Sequence, residues 1–370
     1  MTLFQLTLKN LRRRRTRTLL TIMGIGLGIG AVVALLGLAW GLEDSWSDAY
    51  KARKTDLVVR RSAGGLIAQP FSEEITTRVR KVPGVAAAAG LLTEVLSIEK
   101  VPMMVVSGRE WGSFLWDTLK VVEGRLPKDA SERGVVLGTL AAEMLEKKPG
   151  DKLGLEIDEF EVLGIVDGGA VVENGSVIVA LPILQEMVLK EGDINFVNVR
   201  LNDHDADPHT VAKLIEKQAP GCRVDIASEV LSQNDGVKTF QAMNWGTSII
   251  AILVGAFGVM NTMFMSVFER TREIGILLAL GWKRSRILRM ILLESVSLCL
   301  AAGIVGVLAG LVMLKILEFM PWMQGRIEPA VSWQLISLAL GLAVAVGLGS
   351  GLYPALHCTR INPSLAIRQL

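Results

Sequence analysis

Apolar residues gather into four long runs, and the stretch between the first and second is patterned differently. The runs cover residues 18–40, 246–268, 287–314 and 333–353, each near or above the roughly 20 apolar residues that a helix needs to cross a bilayer. They predict membrane helices at 18–41, 246–268, 287–316 and 333–353. Residues 42–245 instead alternate short strand-like and helix-like segments. The predicted fold class is therefore membrane α-helical, four transmembrane helices, with a large α+β extracytoplasmic domain inserted between helices 1 and 2.

Inside 42–245, β-branched runs at 56–60, 103–108, 160–166, 176–180 and 195–201 predict strands. Helical spacing marks 72–82, 140–147, 182–189 and 208–218, the last opened by Asp207 as N-cap with Pro208 at the first helical position. The order strand, helix, Pro-Gly turn, strand occurs twice, with Val82-Pro83-Gly84-Val85 and Ala219-Pro220-Gly221-Cys222 at the turns. This repeat predicts two βαβ-like halves in one small sheet. Between them, about 121–189, a separate β-rich subdomain is expected. Spacing leaves open whether Trp111, Phe114 and Trp116 line the core or a cargo site, with core the expectation.

Composition supports the membrane reading, since 51% hydrophobic and 21% charged residues over a length of 370 is too apolar for an ordinary soluble enzyme. The formal charge of +2 divides unevenly. Residues 42–245 hold 23 Lys+Arg against 32 Asp+Glu, leaving 16 against 5 elsewhere. Lys9, Arg12, Arg13, Arg14, Arg15 and Arg17 precede the first run, Arg270, Arg272, Lys283, Arg284 and Arg286 follow the second, and Arg360 and Arg368 follow the fourth. Positive charge marks the cytoplasmic side. Both termini and the 269–286 loop are thus expected in the cytoplasm, with 42–245 and the short 317–332 loop outside the inner membrane.

Two alternative readings of the first segment are set aside on position. Its apolar run is longer than the roughly 7–15 residues of a signal h-region, and Trp40-Gly41-Leu42 is no small-residue cleavage site. The Arg12–Arg15 run lies beside a span, so it reads as juxtamembrane charge attracted to anionic lipid, and nucleic acid is not an expected partner. Phe4, Leu8 and Leu11 recur at helical spacing, which predicts an amphipathic helix over 1–17 on the cytoplasmic membrane surface.

Candidate chemistry is thin. Asp203, His204, Asp205, Asp207 and His209 crowd together, but the stretch lacks the glycine that an EF-hand loop needs and reads as an acidic turn. There is no Gly-x-Ser-x-Gly motif. Cys222 lies outside while Cys299 and Cys358 belong to a span and the tail, so a disulfide within one compartment is not available. Cys222 is read as a buried thiol, with a cross-link to a second chain as the alternative. No Gly-Lys dipeptide occurs, which excludes a phosphate-binding loop and assigns nucleotide chemistry to a partner. No catalytic group, metal or cofactor is expected on this chain.

The spans argue against an ion or proton pathway, because Glu294, Lys315 and Glu318 lie toward their ends. Glycines at small-xxx-small spacing, Gly24/Gly28 and Gly26/Gly30 in the first span, Gly306/Gly310 in the third and Gly347/Gly351 in the fourth, predict close helix packing.

The most specific stretch is the turn after the second span. Glu269, Arg270, Arg272 and Glu273 would line one exposed surface of a short helix, while Ile274, Leu277 and Leu278 recur on another and Gly281 stops it before Lys283. This segment, Phe268-Glu269-Arg270-Thr271-Arg272-Glu273-Ile274-Gly275 through Ala279 to Gly281, resembles the E-R-x-x-E-I-G-x-x-x-A-x-G signature of MacB/FtsX-like permeases of ABC transporters. Leu293-Glu294-Ser295, Tyr353-Pro354-Ala355-Leu356 and Pro363-Ser364-Leu365-Ala366-Ile367-Arg368 are similar to later parts of that family. So is Val135-Val136-Leu137-Gly138 with Gly150-Asp151-Lys152.

The resemblance implies an ATPase-coupling role for Glu269, Arg270, Arg272, Glu273, Ile274, Gly275, Leu277, Gly281 and Lys283. It implies two copies of an ABC-type ATPase subunit that use ATP and Mg, a second permease copy or homologous permease, and a periplasmic adaptor or acceptor protein. Because the macrolide exporter carries its ATPase ahead of the first span, a separate ATPase subunit is expected here. The implied activity is mechanotransmission for export or extraction of a lipoprotein, peptide or drug. The alternative is a membrane receptor, anchor or regulator of cell-envelope enzymes acting through the external domain.

Overall fold

The computed structural model describes residues 15–61, 69–99, 101–155, 158–202, 207–230, 235–320 and 328–359. Residues 1–14 of the expected surface helix, Asp203, His204 and Asp205, and the terminal stretch 361–368 lie outside the described residues. Helix α1 (Arg15–Ala52) leads to β1 (Leu57–Arg61), β2 (Phe71–Ser72), α2 (Glu74–Val79), β3 (Val85–Ile98) and β4 (Val101–Arg109). Then come α3 (Phe114–Asp117), β5 (Lys120–Gly124), β6 (Gly134–Gly138), α4 (Thr139–Leu145), β7 (Lys152–Leu155), β8 (Asp158–Asp167), α5 (Val171–Asn174) and β9 (Ser176–Ala180). They are followed by α6 (Leu181–Met187), β10 (Asp193–Ile194), β11 (Phe196–Leu201), α7 (Pro208–Gln218) and β12 (Cys222–Ile226). The chain continues as α8 (Asp235–Phe268), α9 (Thr271–Ala279), α10 (Arg284–Glu318) and α11 (Trp333–Thr359).

Two units are formed, a helical one from Met1–Leu38, Ala242–Ile316 and Ala330–Leu370, and a sheet unit from Ala39–Gln241 and Leu317–Pro329. Among the described residues, four helices are long and apolar enough to span a bilayer: Thr18–Ala52, Gln241–Phe268, Arg284–Glu318 and Trp333–Cys358. A helix satisfies its own backbone polar groups, which is what permits it in hydrocarbon. At 1.5 Å per residue the 38 residues of α1 rise about 57 Å, well past a hydrocarbon core of about 30 Å. The chain is a multi-pass membrane protein with its large α+β domain between the first and second spans.

Glycines bring the helices of the first unit together. A Cβ on Gly306 would lie 2.6 Å from the Gly26 carbonyl oxygen, and one on Gly310 would lie 2.9 Å from that of Gly30. Gly28 faces Ala251 of α8 instead, while Gly24 has nothing within 4 Å. Gly347 and Gly351 of α11 close on Ser295 and its neighbours in α10, where Ser295 Oγ donates to the Gly347 carbonyl at 2.7 Å.

In the sheet unit the order is β12-β1-β11-β3-β4-β9-β6-β8-β5, with β7 paired to β8. Strands β12, β1, β11 and β3 are mutually antiparallel neighbours, so each strand-helix-strand half is split by a strand of the other. Their shared core includes Leu57, Val59, Val79, Val82, Val197, Val199, Val211 and Ile215. Gly84 and Gly221 both take positive φ, 93° and 83°, which is why each Pro-Gly turn carries glycine. Asp207 caps α7 by accepting from Thr210 N at 3.1 Å.

One expectation is corrected. Residues 121–189 do not form a separate subdomain, because β4 pairs in parallel with β9 from Val105–Ser176 to Arg109–Ala180 and continues the sheet into β6, β8 and β5. Strand β9 is buried along its whole length and takes partners on both edges, a long-range pairing that has no signature in local periodicity. Phe114 and Trp116 are buried, and Trp111 is half-buried with its ring 5.2 Å from Trp116. Cys222 is free and half-buried.

Candidate functional site

The turn after α8 is built by a short helix with one packed apolar side and an open side that carries its charges together with Ile276. Phe268 ends α8, Thr271 Oγ1 donates to the Phe268 carbonyl at 2.8 Å, and the Ile274 amide donates to the Arg270 carbonyl at 2.9 Å as α9 begins. Ile274 is buried with Val267 of α8, Ile287 and Ile291 of α10, and Ala355 and Cys358 of α11, with Leu278 against the same cluster. Burying such side chains stabilises by about 1.5–3 kcal/mol each relative to exposure. Three of the long helices therefore meet on one face of α9.

The opposite side carries Arg272 and Glu273, both exposed, while Glu269 is exposed just before the helix and Lys283 beyond the stop. Gly275 is buried and Leu277 half-buried. Helix α9 ends where the Gly281 and Trp282 amides donate to the Leu278 and Leu277 carbonyls, each at 3.0 Å, with Gly281 at a φ of 87°. Most side chains are strained at that φ, so the backbone favours glycine there. The Arg286 guanidinium then stands 5.2 Å over the Trp282 ring.

Arg270 departs from the expected exposed surface. It is half-buried, and its Nη1 lies 3.5 Å from Glu294 Oε1, the two side chains being 17% and 11% exposed. The pair ties the entrance of α9 to the body of α10. An aromatic group supports the same end of the unit, with Phe264 at 5.4 Å from Tyr353 and both Phe264 and Phe268 near His357.

A second arrangement lies in the sheet unit and was not legible in the sequence. Arg53, immediately after α1, donates from Nε to Glu173 Oε1 at 2.7 Å, and Arg109 donates to Glu173 Oε2 from the other side. Arg109 Nη1 also donates to the Leu115 carbonyl at 2.8 Å. Burial would raise the Glu173 carboxyl, but the Arg109 and Arg53 guanidiniums outweigh it and hold the group at about 2. Nearby, Arg60 and Arg223 donate to the two oxygens of Asp225 at 2.6 and 2.8 Å. The available signal was a charged residue inside an apolar run, as with Glu173 after Val171 and Val172.

No group of three or more His, Cys, Asp or Glu poised for a metal ion occurs among the described residues. Asp207, from the acidic stretch, is occupied as a helix cap.

The sequence matches two families that together span most of its length. The MacB-like periplasmic core domain matches residues 18–218, and the FtsX-like permease C-terminal domain matches 245–363. The chain is similar to the uncharacterized ABC transporter permease MJ1507 of Methanocaldococcus jannaschii, 28% identical over 383 residues, covering 97% of this chain and 96% of that one. It is 25% identical over 409 residues to the uncharacterized ABC transporter permease YknZ of Bacillus subtilis, covering 98% of each. It is also 25% identical over 391 residues to the macrolide export ATP-binding/permease protein MacB of Brucella melitensis. That match takes in 98% of this chain but only 60% of the macrolide export protein.

Proposed function

We propose, for a chain that belongs to the MacB/FtsX-like family of ABC transporter permeases, that residues 269–283 are the element on which an ABC-type ATPase acts. Permeases of this family work with an ATPase. The observation that carries the reading is the two-sidedness of α9: Ile274 and Leu278 are seated against α8, α10 and α11, while Glu269, Arg272 and Glu273 face outward. A charged face offers a partner orientation and register. An apolar face locked to three long helices passes a displacement on instead of absorbing it, since packed side chains resist sliding.

In this mechanism the termini and α9 face the cytoplasm and the sheet unit faces the opposite side. Two ATPase copies bind ATP and Mg, close on one another, and tilt α8 and α10 through α9, and a second permease copy does the same. The chain itself serves as a transport subunit and makes no chemical bond. The moving sheet unit acts on a lipoprotein, peptide or drug in the membrane or periplasm, with an adaptor or acceptor receiving it. Arg270 holds α9 in register through Glu294, so a push on Glu273 reaches α10 without loss at the loop.

The test is affinity purification of the tagged chain in mild detergent, identification of associated proteins, and ATP hydrolysis by the eluate. A stoichiometric ATPase whose vanadate-sensitive rate falls when Glu273 is changed to Leu, with membrane insertion intact, supports the coupling role. Unaltered hydrolysis in Glu273→Leu overturns it. A chain that never associates with an ATPase would shift the reading to a receptor or anchor.

A further inference from the structure

The buried charges at the end of α1 take no part in the turn, yet they stand where the first membrane helix hands over to the sheet. Arg53 is the residue after α1, Arg109 ends β4, and Glu173 sits in α5 between β8 and β9. Their side chains are 5%, 0% and 1% exposed. The neighbouring backbone is shaped for this approach. Asp167 Oδ1 accepts from the Gly169 amide at 2.9 Å and from Asn174 Nδ2 at 3.1 Å, while Asn174 Oδ1 accepts from the Gly168 amide at 2.7 Å. Gly169, at a φ of 75° that favours glycine, lies beside Ala52: a Cβ there would meet the Ala52 Cβ at 3.6 Å, an ordinary contact.

Apolar contact alone already holds the helix end, since Ala49, Trp46 and Ala52 pack with Ala170 and Val172. Buried ion pairs add little to stability, because desolvation offsets their attraction and apolar replacements of equal volume are often neutral or better. What two guanidiniums on one carboxylate add is direction. Each oxygen is held by a different arginine, so Glu173 fixes Arg53 against Arg109 in both distance and angle. A contact of alanines with valine is non-directional; the paired guanidiniums fix an orientation as well.

We infer that Arg53, Glu173 and Arg109 form the joint through which α1 moves the β4–β9 part of the sheet. The three are positioning residues: they turn a displacement of the helix into a displacement of β4, β8 and β9 together. Trp46 and Tyr50 engage Val58, Ala227 and Val230 on the split βαβ part, so the same helix end touches both parts and the charges select which follows it. This inference rests on the proposed coupling function.

Hydrogen exchange of the permease purified with its ATPase, compared without nucleotide and after trapping with ATP, magnesium and vanadate, tests both. The wild type is expected to respond at 271–279 and at 158–180. In Glu173→Gln the response at 271–279 is retained and that at 158–180 falls about fivefold or more, the size of an ordinary coupling term. A merely structural role would lower thermal stability and leave the 158–180 response intact, which overturns the joint. So does a wild type that responds at 271–279 alone. Absence of any response at 271–279 removes the coupling function and the joint with it. If Glu173→Gln loses its cooperative melting transition, Arg53→Met, which leaves the Arg109–Glu173 pair in place, is read by the same criteria.

Discussion

Arg270 and Glu294 face each other at 3.5 Å although 24 residues separate them, one at the entrance of α9 and the other about three turns into α10. A charge so little exposed is held in place by its partner more than by solvent.

The first prediction follows from that pairing. Arg270→Met and Glu294→Gln each remove the charged tie between the entrance of α9 and α10 while leaving Ile274 packed, so each should lower the rate at which the associated ATPase is stimulated. The double variant should be no worse than the more severe single one. A double-mutant cycle on thermal stability should return an interaction of about 0.5–3 kcal/mol. Additive losses would mean that the two side chains act independently.

Gly281 yields a second prediction from its φ of 87°. No atom stands within 4 Å of a Cβ there, so any effect of substitution comes from the backbone alone. Gly281→Val should cost about 1–3 kcal/mol locally and misdirect the chain into α10. Gly281→Asn, a residue that visits the left-handed region, should be tolerated. ATPase stimulation by the two variants distinguishes them; equal loss in both would refute a backbone cause.

Local pattern carried the four spans, because each is one uninterrupted apolar run, and it carried β9 and α7, whose ends are marked by glycine, proline and Asp207. It did not carry the partners of those elements. The parallel pairing of β4 with β9 joins residues some 70 positions apart, and Arg53 meets Glu173 across 120. Neither spacing recurs, so periodicity is silent on both. Arg270 was misplaced for the same reason: its helical position puts it beside Glu269 and Glu273, and only the approach of α10 draws it inward. Likewise the glycine spacing in α1 was visible, while the division of labour, Gly26 and Gly30 on α10 and Gly28 on α8, was not.

That division gives a third prediction. Gly306→Ala must push a methyl group into the Gly26 backbone, whereas Gly24→Ala adds one to open space. Overpacking of this kind costs about 1–3 kcal/mol, so Gly306→Ala should lower the thermal midpoint in mild detergent and Gly24→Ala should leave it nearly unchanged. A matched effect in the two variants would show that helix propensity, not contact, governs both positions.

The last prediction concerns acid. Glu173 is held at about 2 against an ordinary value of 4.5, so the folded state binds its proton less readily than the unfolded chain. The stability this contributes is complete above the unfolded value and is lost as pH falls from about 4.5 toward about 2. Glu132, paired to Arg125 by the sheet edge, is also held at about 2 and titrates in the same window, but it is only half-buried, its arginine is exposed, and solvent screens the pair. Glu173→Gln should therefore flatten the fall of the thermal midpoint between pH 4.5 and 2, while Glu132→Gln should change it little. Above pH 5 the Glu173→Gln chain should sit below the wild type by an amount that does not vary with pH, since the lost contribution is already complete there. Parallel acid curves for wild type and Glu173→Gln would mean that the carboxylate is not ionised between its two arginines, and the joint would lose its physical basis.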